Sequence, residues 1–147
     1  MPKHTSNTPI MTPSTITSTL PSTCEIIVPH PDSTIHEVTP RWSDAGISLP
    51  YAVVIPSNSN DIIQTINYAA ANNLKIIPTS GGHGSFIPIT NQTIYLPLSN
   101  FTTIVLDEEK RVVTIGGGCT TGAVLKDLAD KGWYTCCLLY TSDAADE

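Results

Sequence analysis

The block that most constrains this chain runs from Tyr51 to Ile77, YAVVIPSNSNDIIQTINYAAANNLKII. YAVVI (Tyr51–Ile55) is a nearly continuous apolar run rich in β-branched residues and stopped by Pro56, the pattern of a buried strand. A polar turn follows in which Ser59 or Asn60 can cap a helix, and Ile62, Ile63, Ile66, Ala69 and Ala70 then recur at helical spacing. Asn72 and Asn73 end that helix, and LKII (Leu74–Ile77) supplies a second strand, closed by Pro78. Strand, capped helix and strand this close together make a βαβ unit, with parallel pairing and a right-handed crossover.

Downstream, TIYLPL (Thr93–Leu98) reads as a third strand. TIVL (Thr103–Leu106) and RVVTI (Arg111–Ile115) face each other across the charged turn DEEK as a hairpin. Gly116-Gly117-Gly118 comes next, then Thr120 or Thr121 as a helix cap, an apolar stripe of Val124, Leu125 and Leu128, and Gly132 as the stop. One βαβ unit combined with a hairpin and two helices is an α+β class.

Upstream the reading changes. Residues 1–23 contain seven Thr, four Ser and four Pro, with Lys3 the one Lys or Arg, too little apolar surface to offset the entropy of ordering. The segment from Cys24 to Pro50 holds short extended pieces broken by Pro29, Pro31, Pro40 and Pro50, a strap with Trp42 as its anchor. Residues 1–40 are therefore expected to be a disordered or extended lead-in.

Charge narrows the function classes. Seven Lys+Arg against 13 Asp+Glu give a net charge of −6, which argues against phosphate-neutralising nucleic-acid binding and against a basic membrane-surface helix. No apolar run approaches the roughly 20 residues of a bilayer span, and the first residues lack the apolar block of a secretory signal. A soluble protein is the default, with the cytoplasm a candidate compartment. The four cysteines, Cys24, Cys119, Cys136 and Cys137, form neither a disulfide framework nor a CxxC metal clip. Cys24, His30 and His36, set among prolines, make a poor metal site, so no metal is assigned.

Two glycine-rich segments, each following a strand, are the candidates for chemistry. In PTSGGHGSF (Pro78–Phe86) consecutive glycines allow backbone N–H groups to converge on an anion, and a missing Cβ admits a phosphate close to the chain; a plain turn is the alternative. His83, inside this loop, reads most simply as a histidine held by a hydrogen bond. A neutral imidazole is also a nucleophile, so beside an electrophilic cofactor it could become covalently attached. The second segment, IGGGCTTG (Ile115–Gly122), lacks the Lys of a phosphate-binding P-loop, and Thr121 stands where a GxGxxG fingerprint needs glycine. Close strand-to-helix packing is favoured there over phosphate contact, and Cys119 reads as a small buried hydrophobe.

Taken together, residues 41–135 resemble the N-terminal half of the FAD-binding domain of berberine-bridge-enzyme-like FAD-linked oxidases, the domain type shared with p-cresol methylhydroxylase and vanillyl alcohol oxidase. The resemblance lies in the order of elements, the GGH motif and the glycine-rich GGGC strand end. It implies that loop 79–85, with Ser80, Gly81, Gly82, Gly84 and Ser85, wraps the FAD pyrophosphate. It further implies that His83 matches the histidine bonded to the flavin 8α-methyl carbon, and that a small-molecule substrate delivers hydride to the flavin, with molecular oxygen as electron acceptor. Two positions depart from the pattern: Thr79 stands where many members carry Arg, and Gly84 where many carry Ser. The resemblance sets the FAD-binding part at 41–136 and leaves the base and substrate pocket beyond it, so the chain alone is expected to be inactive. CLLYTSDAADE (Cys137–Glu147) resembles instead the translation of a sequencing adapter, a non-native tail. A nicotinamide-binding Rossmann protein and a non-catalytic binding protein are the rival readings.

Overall fold

The computed structural model describes residues 14–39, 41, 43, 46–84 and 87–135. The elements are α1 (Ser14–Thr19), β1 (Glu25–Ile27), α2 (Ile35–Val38), β2 (Ala52–Ile55), α3 (Ser59–Ala71), β3 (Lys75–Thr79), β4 (Thr93–Pro97), β5 (Ile104–Asp107), β6 (Val112–Ile115) and α4 (Thr121–Asp130). Four strands form one sheet in the order β1-β2-β4-β3, and β5 and β6 form a separate hairpin. The class is α+β.

The strands flanking α3 run parallel as expected, but they do not pair with each other. β4 lies between them, parallel to both, with Ala52 opposite Ile94 on one side and Ile76 opposite Ile94 on the other. A crossover helix fixes direction; it does not forbid a later strand from entering the gap. β4 is the central strand and its burial shows it, with Thr93, Ile94, Tyr95 and Leu96 all buried. β3 also continues through Pro78 instead of stopping before it, with Pro78 opposite Leu96. It is an edge strand, so one side of its backbone has no ladder to lose, and proline is tolerated there.

Alternating residues of β2 and β4 feed two cores. Ala52, Val54, Ile94 and Leu96 pack on one face with Tyr51, Tyr68 and Ala69. Val53 and Tyr95 pack on the other with Val38, Ile77 and Ile89. Strands covered on both faces read as continuous apolar runs, which is why YAVVI was legible as buried.

The expected disordered or extended lead-in over 1–40 is corrected for residues 14–39. Ile16, Leu20 and Cys24 belong to the first core, and β1 pairs antiparallel with β2, Ile26 opposite Val54. The Thr- and Ser-rich composition of α1 has low helix propensity, and burial of Ile16 and Leu20 against the sheet overrides it. A polar latch holds the same segment. Thr23 Oγ1 donates to Asp61 Oδ1 at 2.6 Å, Ser57 Oγ donates to Thr23 O at 2.8 Å, and Ser57 N and Asn58 Nδ2 donate to Asp61 Oδ2 at 2.9 and 3.1 Å. The Thr23 hydroxyl, with the Ser57 and Asn58 donors, holds the Asp61 carboxyl below the usual carboxylate range, although burial opposes this. Burial, reinforced by the nearby Asp61 charge, pushes the Cys24 thiol up. Trp42, the expected strap anchor, lies outside the described residues.

Asp61 also explains two local differences in α3. The N-cap is Asn58, not Ser59 or Asn60, its side chain accepting from Asp61 N. The buried face is Asp61, Thr65, Tyr68 and Ala69, while Ile63 and Ile66 are about half exposed, at 53% and 50%. The latch and the Tyr51–Tyr68 hydroxyl pair at 3.0 Å set the helix's rotation, so the isoleucine periodicity misplaces its inner face. The other boundaries agree with the reading: Asn73 is left-handed at φ 53, Thr120 caps α4, and Gly132 follows α4 at φ 77.

Candidate cofactor site

Ligands of parallel sheets gather at the carboxyl ends of the strands, and here two such ends, β3 and β4, are tied together. Leu98 N donates to Thr79 O at 2.9 Å, and Asn100 Nδ2 donates to Pro56 O at 3.0 Å, which also fixes the end of β2. The loop after β4 then receives the triple glycine. Gly116 N donates to Thr103 O at 2.8 Å and Gly118 N to Phe101 O at 2.9 Å. A Cβ on Gly118 would stand 1.7 Å from Leu98 O, and one on Gly116 would stand 2.2 Å from Phe101 O. Gly116 and Gly118 are therefore backbone-packing residues.

That packing brings the two glycine segments to one place. Ser80 Oγ donates to Cys119 O at 2.8 Å, and between the segments lies a cavity of about 330 Å³ lined by Ser80, Gly81, His83, Cys119, Thr120, Thr121 and Gly122. Gly82 is buried with φ +70, a left-handed turn that glycine adopts without strain. It carries the chain back so that His83, exposed, sits over Gly81; a Cβ on Gly81 would lie 3.2 Å from His83 Cδ2.

The opposite wall is the first turn of α4. The Thr120 side chain accepts from Ala123 N at 3.3 Å and Thr120 O accepts from Val124 N at 3.1 Å. Helix geometry leaves the Thr121 and Gly122 N–H groups without intrahelical partners, at the positive end of the helix dipole. Among the described residues, none that lines it is a carboxylate. Backbone donors, a helix N-terminus and the absence of acidic side chains together suit a diphosphate.

Of the residues singled out from sequence, Ser80, Gly81 and His83 line the cavity and Gly82 shapes its turn. Gly84 points its carbonyl toward Arg41, and Ser85 lies outside the described residues. Cys119 is half-buried on the cavity wall. Among the described residues, no three His, Cys, Asp or Glu side chains gather as a metal site, and no helix is long and apolar enough to cross a membrane. Sequence reasoning missed Arg41, which is buried and donates to Gly84 O and, at 3.1 Å, to Ile87 O. An arginine just ahead of the apolar βαβ block was the available signal.

The fold, with a cavity at the strand ends, is that of a nucleotide-cofactor domain. The chain belongs to the FAD binding domain family, matching it over residues 50–144. The match runs past residue 137, where the sequence reading sets apart an adapter-like tail; residues 136–147 lie outside the described residues. The chain is 28% identical over 121 residues to the FAD-linked oxidoreductase azaL of Aspergillus niger, an alignment covering 81% of this chain and 26% of that protein. In structure it is similar to 6-hydroxy-D-nicotine oxidase from Arthrobacter nicotinovorans, with TM-score 0.62 and 24% identity over 74% of this chain and 24% of that one. It is similar also to glucooligosaccharide oxidase from Acremonium strictum, a protein described with a 6-S-cysteinyl, 8α-N1-histidyl FAD, at TM-score 0.58 and 23% identity over 74% and 23% of the two chains. The chain spans about a quarter of the length of the curated relative.

Proposed function

We propose that the complete protein is an FAD-linked oxidoreductase that takes hydride from a small-molecule substrate and passes electrons to molecular oxygen, with residues 41–136 as part of its FAD-binding domain. The observation that carries this reading is the closure of two glycine segments, distant in sequence, on one cavity with His83 at its rim and no carboxylate among the described residues that line it. Bound there, FAD would supply the hydride acceptor.

In this reading the chain's own residues bind and orient. Backbone N–H groups of Ser80, Gly81, Gly82, Gly84 and Ser85, with the first turn of α4, hold the pyrophosphate. Ser80 spends its hydroxyl on Cys119 O and so locks the two walls together. His83 is the site of covalent attachment through the flavin 8α-methyl carbon; the histidyl FAD named for glucooligosaccharide oxidase supports this. Attachment there would exchange one 8α-methyl C–H and the imidazole N–H for a C–N bond, with dioxygen taking up the two hydrogens as hydrogen peroxide. No residue of this chain is assigned as a catalytic base. The nicotinamide reading finds no support, since Gly116 and Gly118 are consumed by packing and Thr121 occupies the fingerprint's third position.

The test is purification of the complete protein and its absorption spectrum, with the released dinucleotide identified by mass. A yellow protein carrying FAD is expected. Folded protein that neither retains nor takes up FAD would refute the proposal.

A further inference from the structure

Contacts on either side of the histidine hold the loop that runs from the end of β3 to Ile89. Upstream of the histidine, Ser80 is tied to Cys119 O and Thr79 O to Leu98 N. Downstream, a Cβ on Gly84 would meet nothing within 4 Å, so side-chain packing does not fix that point. Its carbonyl instead accepts from Arg41 Nη2, while Arg41 Nη1 donates to Ile87 O at 3.1 Å. The same strap touches the loop again at Ile89, where Ile47 makes a parallel bridge and Ser48 N donates to Ile89 O at 2.9 Å.

Arg41 is 8% exposed. Burying a guanidinium is costly unless its donors are used, and here two are used on backbone carbonyls. The planar fork reaches both at once, which an ammonium point charge does not reproduce. From this geometry we infer that Arg41 is a positioning residue for His83: by clamping the carbonyls of Gly84 and Ile87 it sets where the imidazole stands at the cavity rim, and hence how fast the flavin becomes attached. This rests on the reading of His83 as the attachment site.

The experiment uses the complete protein, prepared as apoprotein from a flavin-depleted host and mixed with FAD in air. Total bound flavin is measured after gel filtration, and acid-stable flavin is followed with time, for wild type, Arg41→Lys, Arg41→Gln and His83→Ala. Small displacements of a reacting group cost one to two orders of magnitude in rate, so Arg41→Gln is expected to bind FAD yet attach it about 10- to 100-fold more slowly. Arg41→Lys should fall between it and wild type. A role in stability alone would lower bound flavin without changing the attachment rate of what is bound. Attachment by Arg41→Gln at the wild-type rate would overturn the inference and leave His83 in place; if that variant does not fold, the same outcome in Arg41→Lys decides. Loss of all FAD binding in both Arg41 variants would assign the residue to folding and also overturn it. Acid-stable flavin in His83→Ala would overturn the attachment reading and this inference with it.

Discussion

Replacing Gly118 with alanine tests how the two glycine segments are brought together. The new Cβ would stand 1.7 Å from Leu98 O, where real Cβ contacts do not fall below 3.0 Å, so one strand of backbone must retreat by more than an ångström. The atom in the way is a carbonyl, which has no rotamer to adopt. That retreat breaks the Gly118 N to Phe101 O bond at 2.9 Å and loosens the Gly116 N to Thr103 O bond at 2.8 Å. At about 1 kcal/mol for each lost bond, and up to about 3 for a group left without any partner, the expected destabilisation is about 2–4 kcal/mol. Gly122→Ala is the matched control: nothing lies within 4 Å of its Cβ position, and in the first turn of α4 it should be neutral or stabilising by up to about 1 kcal/mol. Denaturant midpoints of the complete protein read both, and flavin content is read for Gly118→Ala. Because Cys119 follows Gly118 and accepts from Ser80, Gly118→Ala should also lose flavin. A Gly118→Ala protein within about 0.5 kcal/mol of wild type, with full flavin, would refute the packing argument.

Ile16→Ala should cost about 2–5 kcal/mol, the range for a fully buried aliphatic side chain, and an unchanged denaturant midpoint would return α1 to a loose lead-in. Asp61 gives a pH dependence. Its folded pKa lies below the unfolded value of about 3.9, so its contribution is complete above that pH and is lost as pH falls through the folded value. Asp61→Asn should therefore lower stability at neutral pH and flatten the loss below about pH 4, as read by unfolding at a series of pH values; an acid limb as steep as wild type's would contradict this.

β2, β4, the β5–β6 hairpin and the ends of α4 were legible because they depend on neighbours in sequence: YAVVI between a turn and Pro56, Thr120 ahead of α4, Gly132 behind it. The position of β4 was not, because insertion of one parallel strand between two others leaves no local mark on any of them. The rotation of α3 was missed for a related reason. Asp61 and Tyr68 face inward because Thr23 and Tyr51 supply their hydrogen bonds, and those partners are 38 and 17 residues away. The lead-in misled through composition, since three apolar residues, Ile16, Leu20 and Cys24, suffice to dock a Thr-rich segment on a waiting sheet. Around the candidate site, the GGH loop is marked in sequence by its glycines, whereas its contact with Cys119 is not. Arg41 stood out in sequence only as an arginine just ahead of the βαβ block, because the two carbonyls it binds lie more than 40 positions away.

Peptide mapping of the complete, flavin-loaded protein addresses the central claim most directly. Cleavage after Lys75 and Lys110 releases a peptide, Ile76–Lys110, that contains His83 and no other histidine. The account predicts that this peptide carries the mass of the flavin cofactor on His83, and that His83→Ala yields the bare peptide. An unmodified peptide from yellow wild-type protein, or a flavin-bearing one from the variant, would contradict it.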